Sequence, residues 1–228
     1  MKSSNIKAIL FDVDNTLIDF MKLKKESCNL AIDSMINAGL NIKKDKALRI
    51  LFELYGQYGI EYQQIFQKFL KKINGKIDYR ILAHGIIAYR KARENLMVPY
   101  PGAMKTLLKL KEDYRLAIIS DAPIIQAWLR IVAVNFEDLF EIVITKGDVK
   151  KQKNSKTPFK IALMRLNLEP EETIMVGDRI SRDIVMAKKL GIKTCYARYG
   201  DIKPAKPKTS GADWEIEKID EILDILKA

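Results

Sequence analysis

The chain is poor in the residues that usually announce metal or thiol chemistry. It has one histidine and two cysteines in 228 residues. Cys28 and Cys195 stand far apart and fit a reducing cytosol better than a disulfide framework. No zinc-finger spacing is present. No apolar run approaches the ~20 residues that a membrane span requires. A strand-like run follows Met1-Lys2-Ser3-Ser4-Asn5 at once, leaving no room for a signal peptide. Internal repeats and low-complexity tracts are absent. A cytoplasmic protein without membrane partners is therefore expected. The length suits one or two domains, and a hydrophobic content of 48% is enough for a sizeable core.

Acidic residues are outnumbered. Lys and Arg total 40 against 29 Asp and Glu, a formal charge of +11. Two basic clusters stand out: Lys150, Lys151, Lys153 and Lys156, then Lys203, Lys206 and Lys208. No interleaved aromatic pattern accompanies them, so nucleic acid is not the expected partner. A surface rich in Lys, Ile and Glu is thermophile-like. Its positive field would draw in a small anion.

What the chain does have is the stretch Ile6-Lys7-Ala8-Ile9-Leu10-Phe11-Asp12-Val13-Asp14-Asn15-Thr16-Leu17. Its apolar run reads as a short buried strand. The strand ends in two carboxylates, Asp12 and Asp14, which an extended backbone points to one side. Two like charges there are costly unless a cation or proton is shared between them. A turn capping the next helix, with Asn15 or Thr16 as N-cap, is the competing reading. A calcium loop is excluded, because Leu17 stands where Gly is needed and Leu23 where Glu is needed. On this stretch alone, the turn and the site stand level.

After Leu17 the pattern is helical to about Met97. A helix over 22–38 is stopped by Gly39. The next carries the stripe Ala47, Ile50, Leu51, Leu54, Tyr55, Tyr58. A third carries Ile65, Phe66, Phe69, Leu70 and Ile73, and a fourth Ile81, Leu82, Ile86, Tyr89 and Ala92. His84 lies in the fourth and reads as structural. Val98-Pro99-Tyr100-Pro101-Gly102 is a linker. Beyond it, strands are expected at 115–119, 142–145, 173–176, 192–197 and 213–216. Helices are expected at 103–112, 124–132, 159–168 and 181–190, with a last one ending at Lys227. Such alternation gives an α/β fold: a three-layer, Rossmann-like parallel sheet core with an inserted α-helical bundle cap. The expected division is 1–17 and 99–228 for the core and 18–98 for the cap.

Three strands end in polar residues: Asp12 and Asp14, Ser120 and Asp121, Gly177 and Asp178. In a parallel sheet these ends share one edge, where ligands bind. The basic segment around Lys153 follows a fourth strand to the same edge. Carboxylates without His or Cys partners favour Mg²⁺ over Zn²⁺.

In this arrangement the chain resembles the haloacid dehalogenase-like hydrolases. The family's D-x-D-x-T-L appears as Asp12 to Leu17, and its apolar strand ending in Ser or Thr as Ile118-Ile119-Ser120. Its lysine precedes a helix, and its Gly-Asp with a later Asp appears as Gly177-Asp178 and Asp183. The resemblance covers the whole chain. It implies a Mg²⁺-dependent phosphatase acting on a small phosphorylated metabolite, with the helical insert as a lid that selects substrate and excludes water. Asp12 would be the nucleophile forming an aspartyl-phosphate. Asp14 would be the acid and base. Asp12, the Asp14 backbone carbonyl and Asp178 would hold Mg²⁺, with Asp183 orienting metal-bound water. Asp183 also has a plainer reading, as a first-turn acid favoured by its helix dipole. Ser120, Asn15 and a lysine would meet the substrate.

Two departures from the family pattern matter. The lysine motif is irregular: counting back from Phe159 without gaps selects Lys153, and Lys156 beside Thr157-Pro158 is its rival. Asp121 stands where the family often has Asn, and is expected as a helix N-cap rather than a catalytic group. Tyr55, Tyr58, Tyr62 and Tyr89 lie in the insert, mostly as its core. A 2-haloacid dehalogenase is the first rival reading. Asp14 argues against it, since that branch replaces the second aspartate. A non-catalytic phospho-ligand binder on the same fold is the second, and retention of both Asp12 and Asp14 argues against it.

Overall fold

A computed structural model describes residues 5–149, 153, 155–202 and 209–227. Lys150, Lys151, Lys203, Lys206 and Lys208 of the basic clusters lie outside the described residues, as do Met1 to Ser4. The chain runs β1 (Ala8–Phe11), α1 (Phe20–Asn37), α2 (Lys44–Tyr58), α3 (Ile65–Asn74), α4 (Tyr79–Leu96), α5 (Ala103–Asp113), β2 (Arg115–Ile119), α6 (Ile124–Ala133), β3 (Ile142–Ile144), α7 (Lys146–Val149), α8 (Thr157–Leu166), β4 (Thr173–Gly177), α9 (Val185–Lys188), β5 (Lys193–Ala197), β6 (Trp214–Ile216) and α10 (Ile222–Lys227).

All four residues of β1 are fully buried, and so are all five of β4. Continuous apolar runs of this kind belong to strands covered on both faces. The six strands form one sheet in the order β3-β2-β1-β4-β5-β6. Every pairing is parallel. Phe11 is in register with Ile118 on one side and Val176 on the other. The residues that follow these three strands therefore emerge together at one edge. The order reverses at β1, with β2 on one side and β4 on the other; such a switch point opens a crevice for ligands. Phe159, Ala162 and Leu166 of α8 and Ala187 of α9 pack with Leu10, Ala117 and Met175 on one face of the sheet.

The chain divides into two compact units, Met1–Phe20 with Val98–Ala228, and Met21–Met97. The second unit is built from α1 to α4. Its core is Cys28, Ile32, Met35, Leu51, Leu54, Phe66, Phe69, Leu70 and Leu82, among others. Asp78 caps α4 by accepting from the N–H groups of Arg80 and Ile81 at 2.9 and 3.1 Å. Gly85 lets α4 approach α1, because a Cβ there would lie 2.0 Å from Met35 Cε. Tyr55 and Tyr89 enclose the buried Lys24, whose ammonium donates to Tyr89 Oη at 2.8 Å and lies 4.3 Å from the Tyr55 ring centroid. Tyr58 is exposed and stacks on Tyr62. His84 is exposed on α4. Among the described residues no helix is long and apolar enough to cross a membrane.

Three elements differ from expectation. The helix expected over 181–190 is replaced by a widened π-helical turn, Ile180–Ile184, and the short α9. In this turn the Asp183 carboxylate folds back to accept the Arg179 N–H at 2.9 Å. Such π turns cluster at functional sites. α8 starts earlier, at Thr157, since Pro158 suits a first turn. α7 was not expected; Asp148 organises it by accepting from the backbone N–H and hydroxyl of Thr145.

Candidate active site

At the end of β1 the Asp12 N–H donates to the Val176 carbonyl at 2.9 Å, which extends the strand pairing by one residue. Asp178 follows β4 directly, and Ser120 follows β2, its N–H on the Ile144 carbonyl at 2.8 Å. Lys153 comes from the segment after α7, and Asp183 from the π turn. The five side chains are almost sealed from water: Asp12 is 6% exposed, Asp178, Ser120 and Lys153 each 3%, and Asp183 0%.

Lys153 Nζ lies 2.5 Å from Asp12 Oδ1 and 2.6 Å from Asp183 Oδ1. Asp12, Asp178 and Asp183 each offer a carboxylate oxygen, all within 4.8 Å of one another. Two glycines make this density possible. A Cβ on Gly177 would lie 2.4 Å from Asp183 Oδ2. One on Gly200 would lie 1.7 Å from the Asn15 carbonyl oxygen. Asn15 takes a positive φ of 63°, a conformation Asn tolerates, and is buried. Tyr199 fixes the same loop by donating from its hydroxyl to the Thr16 carbonyl at 2.6 Å. Burial keeps that phenol well above its ordinary pKa, so it remains a donor.

Three buried carboxylates face one ammonium. Burial pushes Asp12 up to about 7; Lys153 opposes the rise, while Asp183 and Asp14 add to it. Burial, then Asp12 and Asp183, push Asp178 up to about 9. Burial alone would lower Lys153, but attraction to Asp12, Asp183 and Asp121 outweighs it and holds the ammonium charged. Asp178 Oδ1 is buried with no hydrogen-bond partner among the described residues. The cluster thus carries more negative charge than its own cation neutralises, on hard oxygen donors alone. That is the make-up of a divalent-cation site.

Of the expected residues, Asp12, Asp178, Asp183 and Lys153 come together. Ser120 stands beside them in the fold, its Oγ accepting from the Ala122 N–H at 3.1 Å. Lys156 does not reach the cluster: its ammonium donates to the Lys189 carbonyl at 2.9 Å. Asp14 is not in the three-carboxylate group; its Oδ2 accepts from Arg130 Nη1 at 2.7 Å. Asp183 both closes its own turn and meets Lys153.

Asp121 is corrected. Pro123 occupies the N-cap of α6 and no side chain caps that helix. Asp121 instead accepts from the Lys153 backbone N–H at 2.7 Å and from Arg182 Nη1 at 2.9 Å. It fastens the segment that carries the lysine. Arg130 and Arg182 escaped the sequence reading. Arg130 had a signal, as the single charged residue in Ile124-Ile125-Gln126-Ala127-Trp128-Leu129-Arg130-Ile131-Val132-Ala133.

A family model described as haloacid dehalogenase-like hydrolase matches residues 9–197. The chain is 35% identical over 223 residues to a glyceraldehyde 3-phosphate phosphatase of Methanocaldococcus jannaschii, covering 97% of each chain. It is 36% identical over 224 residues to a protein of the same description from Pyrococcus furiosus, covering 97% of this chain and 93% of the other. Among solved structures, a HAD phosphatase from Thermococcus onnurineus superposes with a TM-score of 0.70 at 28% identity, covering 97% and 98% of the two chains.

Proposed function

The chain belongs to the haloacid dehalogenase-like hydrolases and is a phosphatase. From that premise we propose that it uses Mg²⁺ to hydrolyse a phosphorylated three-carbon sugar, of which glyceraldehyde 3-phosphate is the first to test. The full-length likeness to phosphatases of that description supports the substrate class. One observation carries the chemistry: Asp12 is buried against Lys153 at a sheet switch point, with Asp178 and Asp183 alongside.

An Asp12 carboxylate oxygen attacks phosphorus, and the ester P–O bond breaks. The departing sugar oxygen takes a proton from Asp14. Water then attacks the aspartyl-phosphate and gives a proton to Asp14. The bond from phosphorus to Asp12 breaks and inorganic phosphate leaves. Lys153 and the Ser120 hydroxyl offset charge on the phosphoryl oxygens as it develops. Its contacts with Asp12 and Asp183 hold the Lys153 ammonium beside the proposed nucleophile. Asp12, Asp178 and the Asp14 backbone carbonyl would hold the cation, with Asp183 in support. The cation, when bound, draws charge from the phosphoryl oxygens and lets carboxylates face a phosphate dianion. Mg²⁺ fits an all-oxygen donor set. Acid–base help of the Asp14 kind is typically worth ~10²–10⁴ in rate.

The test is phosphate release from glyceraldehyde 3-phosphate by the purified protein with Mg²⁺. Activity lost on chelation, restored by Mg²⁺ and abolished in Asp12→Asn supports the proposal. Activity that survives chelation would remove the metal from it. Full activity in Asp12→Asn would remove the nucleophile.

A further inference from the structure

α6 carries a single charged residue, and that residue is buried. Arg130 is 1% exposed. Its guanidinium lies 4.2 Å from the centroid of the Phe20 ring, and its Nη1 donates to Asp14 Oδ2 at 2.7 Å across 116 residues of sequence. An ion pair with one end this deeply buried is a poor investment in stability alone. The desolvation of the guanidinium roughly cancels the attraction, and an apolar side chain of the same volume usually serves a core as well or better. What an arginine supplies and a leucine does not is direction. Its planar fork sets the plane and rotamer of the carboxylate it grips. The stacked Phe20 ring in turn limits the torsions of the fork.

We infer that Arg130 is a positioning residue for the phosphatase reaction: it clamps one oxygen of Asp14 so that the other is aimed to move protons. The inference rests on the reading of Asp14 as acid and base. With Oδ2 committed to Arg130, proton traffic to the departing sugar oxygen and from the attacking water falls to Oδ1. Asp14 sits on the turn that follows β1. A misplacement of about 1 Å in such a group is enough to cost ~10²-fold in rate.

The test compares Arg130→Gln and Arg130→Lys with wild type on two substrates, an alkyl phosphate and p-nitrophenyl phosphate, with Mg²⁺ present. Nitrophenolate departs without a proton; an alkoxide does not. We expect kcat for the alkyl ester to fall about 10²-fold in Arg130→Gln with KM little changed. The aryl ester should instead show a burst of nitrophenolate stoichiometric with enzyme, followed by slow turnover, since only the water step still needs Asp14. Arg130→Lys, which keeps the charge, should recover part of both losses. In an Asp14→Asn background, Arg130→Gln should cost nothing further. Equal slowing of both esters with no burst, unchanged rates, or a full additional loss in the Asp14→Asn background would each overturn the inference. If Arg130→Gln does not fold, Arg130→Lys carries the same comparison, and a lysine variant with wild-type kinetics on both esters overturns it. A wild type that releases no phosphate from either ester fails the phosphatase reading instead, which separates the two.

Discussion

Lys153 meets Asp12 at 2.5 Å although 141 residues of chain separate them. The pair is sealed from solvent and its lysine serves a second carboxylate as well. Removing the ammonium leaves buried like charges facing one another. Lys153→Met is therefore expected to lose most phosphatase activity and to unfold more easily without metal, by ~3–5 kcal/mol, the usual cost of orphaning a buried charge. Lys156→Ala should lose far less of either. Urea denaturation and steady-state kinetics on the two variants check this.

Metal removal should interact with pH in a definite sense. Burial and neighbouring carboxylates hold Asp12 at about 7 and Asp178 at about 9, above the unfolded value of ~3.9. A carboxyl raised on folding favours the fold while protonated. Its contribution is complete below the unfolded pKa and is lost as pH rises through the folded one. The chelated protein should thus lose thermal stability as pH climbs from about 5 to about 9, and added Mg²⁺ should restore most of it at the alkaline end. Melting curves in EDTA and in Mg²⁺ across that range measure the effect. An apoprotein equally stable at both ends would count against it.

Asp178→Asn replaces a buried carboxyl that must either hold a proton or face like charges. In EDTA near pH 8 the variant should melt at or above the wild-type temperature, yet gain little from Mg²⁺ and show almost no turnover. Lower apo stability than wild type would mean that Asp178 makes a stabilising contact instead.

Gly177 is the residue on which Asp183 leans. Gly177→Ala would put a methyl 2.4 Å from Asp183 Oδ2. The strand is buried at every position, so the carboxylate has to move. A loss of ~1–3 kcal/mol is expected from overpacking. Weaker Mg²⁺ binding, read by calorimetry, should accompany it. The same substitution at Gly56, where a Cβ meets nothing within 4 Å, should leave Mg²⁺ binding intact.

Both thiols are fully buried, and burial pushes Cys28 up to about 11 and Cys195 up to about 12. The thiolate is the reactive form. Iodoacetamide at pH 8 should label neither until denaturant is added, as mass spectrometry would record.

Short-range pattern accounts for what could be read from the chain. The apolar run before Asp12, the stripes of α2 to α4 and the alternation after the linker are properties of neighbouring residues. They suffice for the parallel sheet, the helical insert and the edge where Asp12, Ser120 and Asp178 emerge. Long-range pairing could not be read. Nothing near Asp14 in sequence points to Arg130, and nothing near Asp121 points to Lys153 or Arg182. Asp121 looked like a cap because Pro follows it closely, and that local rule lost to a tertiary contact. Counting back from Phe159 favours Lys153 over Lys156 in the sequence, and the folded path agrees: Lys153 reaches Asp12 while Lys156 binds the Lys189 carbonyl. The widened turn at 180–184 keeps the apolar spacing of an ordinary helix, and periodicity does not register the difference.

β1 is the first strand to be made and sits mid-sheet, hydrogen-bonded on both sides. A ribosome delivers Asp12 long before it delivers β4, Asp178 or Asp183. Until β4 is made, Asp12 therefore has an unpaired flank and lacks Asp178 and Asp183 as partners. The carboxylate cluster is complete only once β4 docks beside β1 and the turn behind it closes. One docking event, that of β4 and the turn behind it, therefore supplies both acidic partners of Asp12 together.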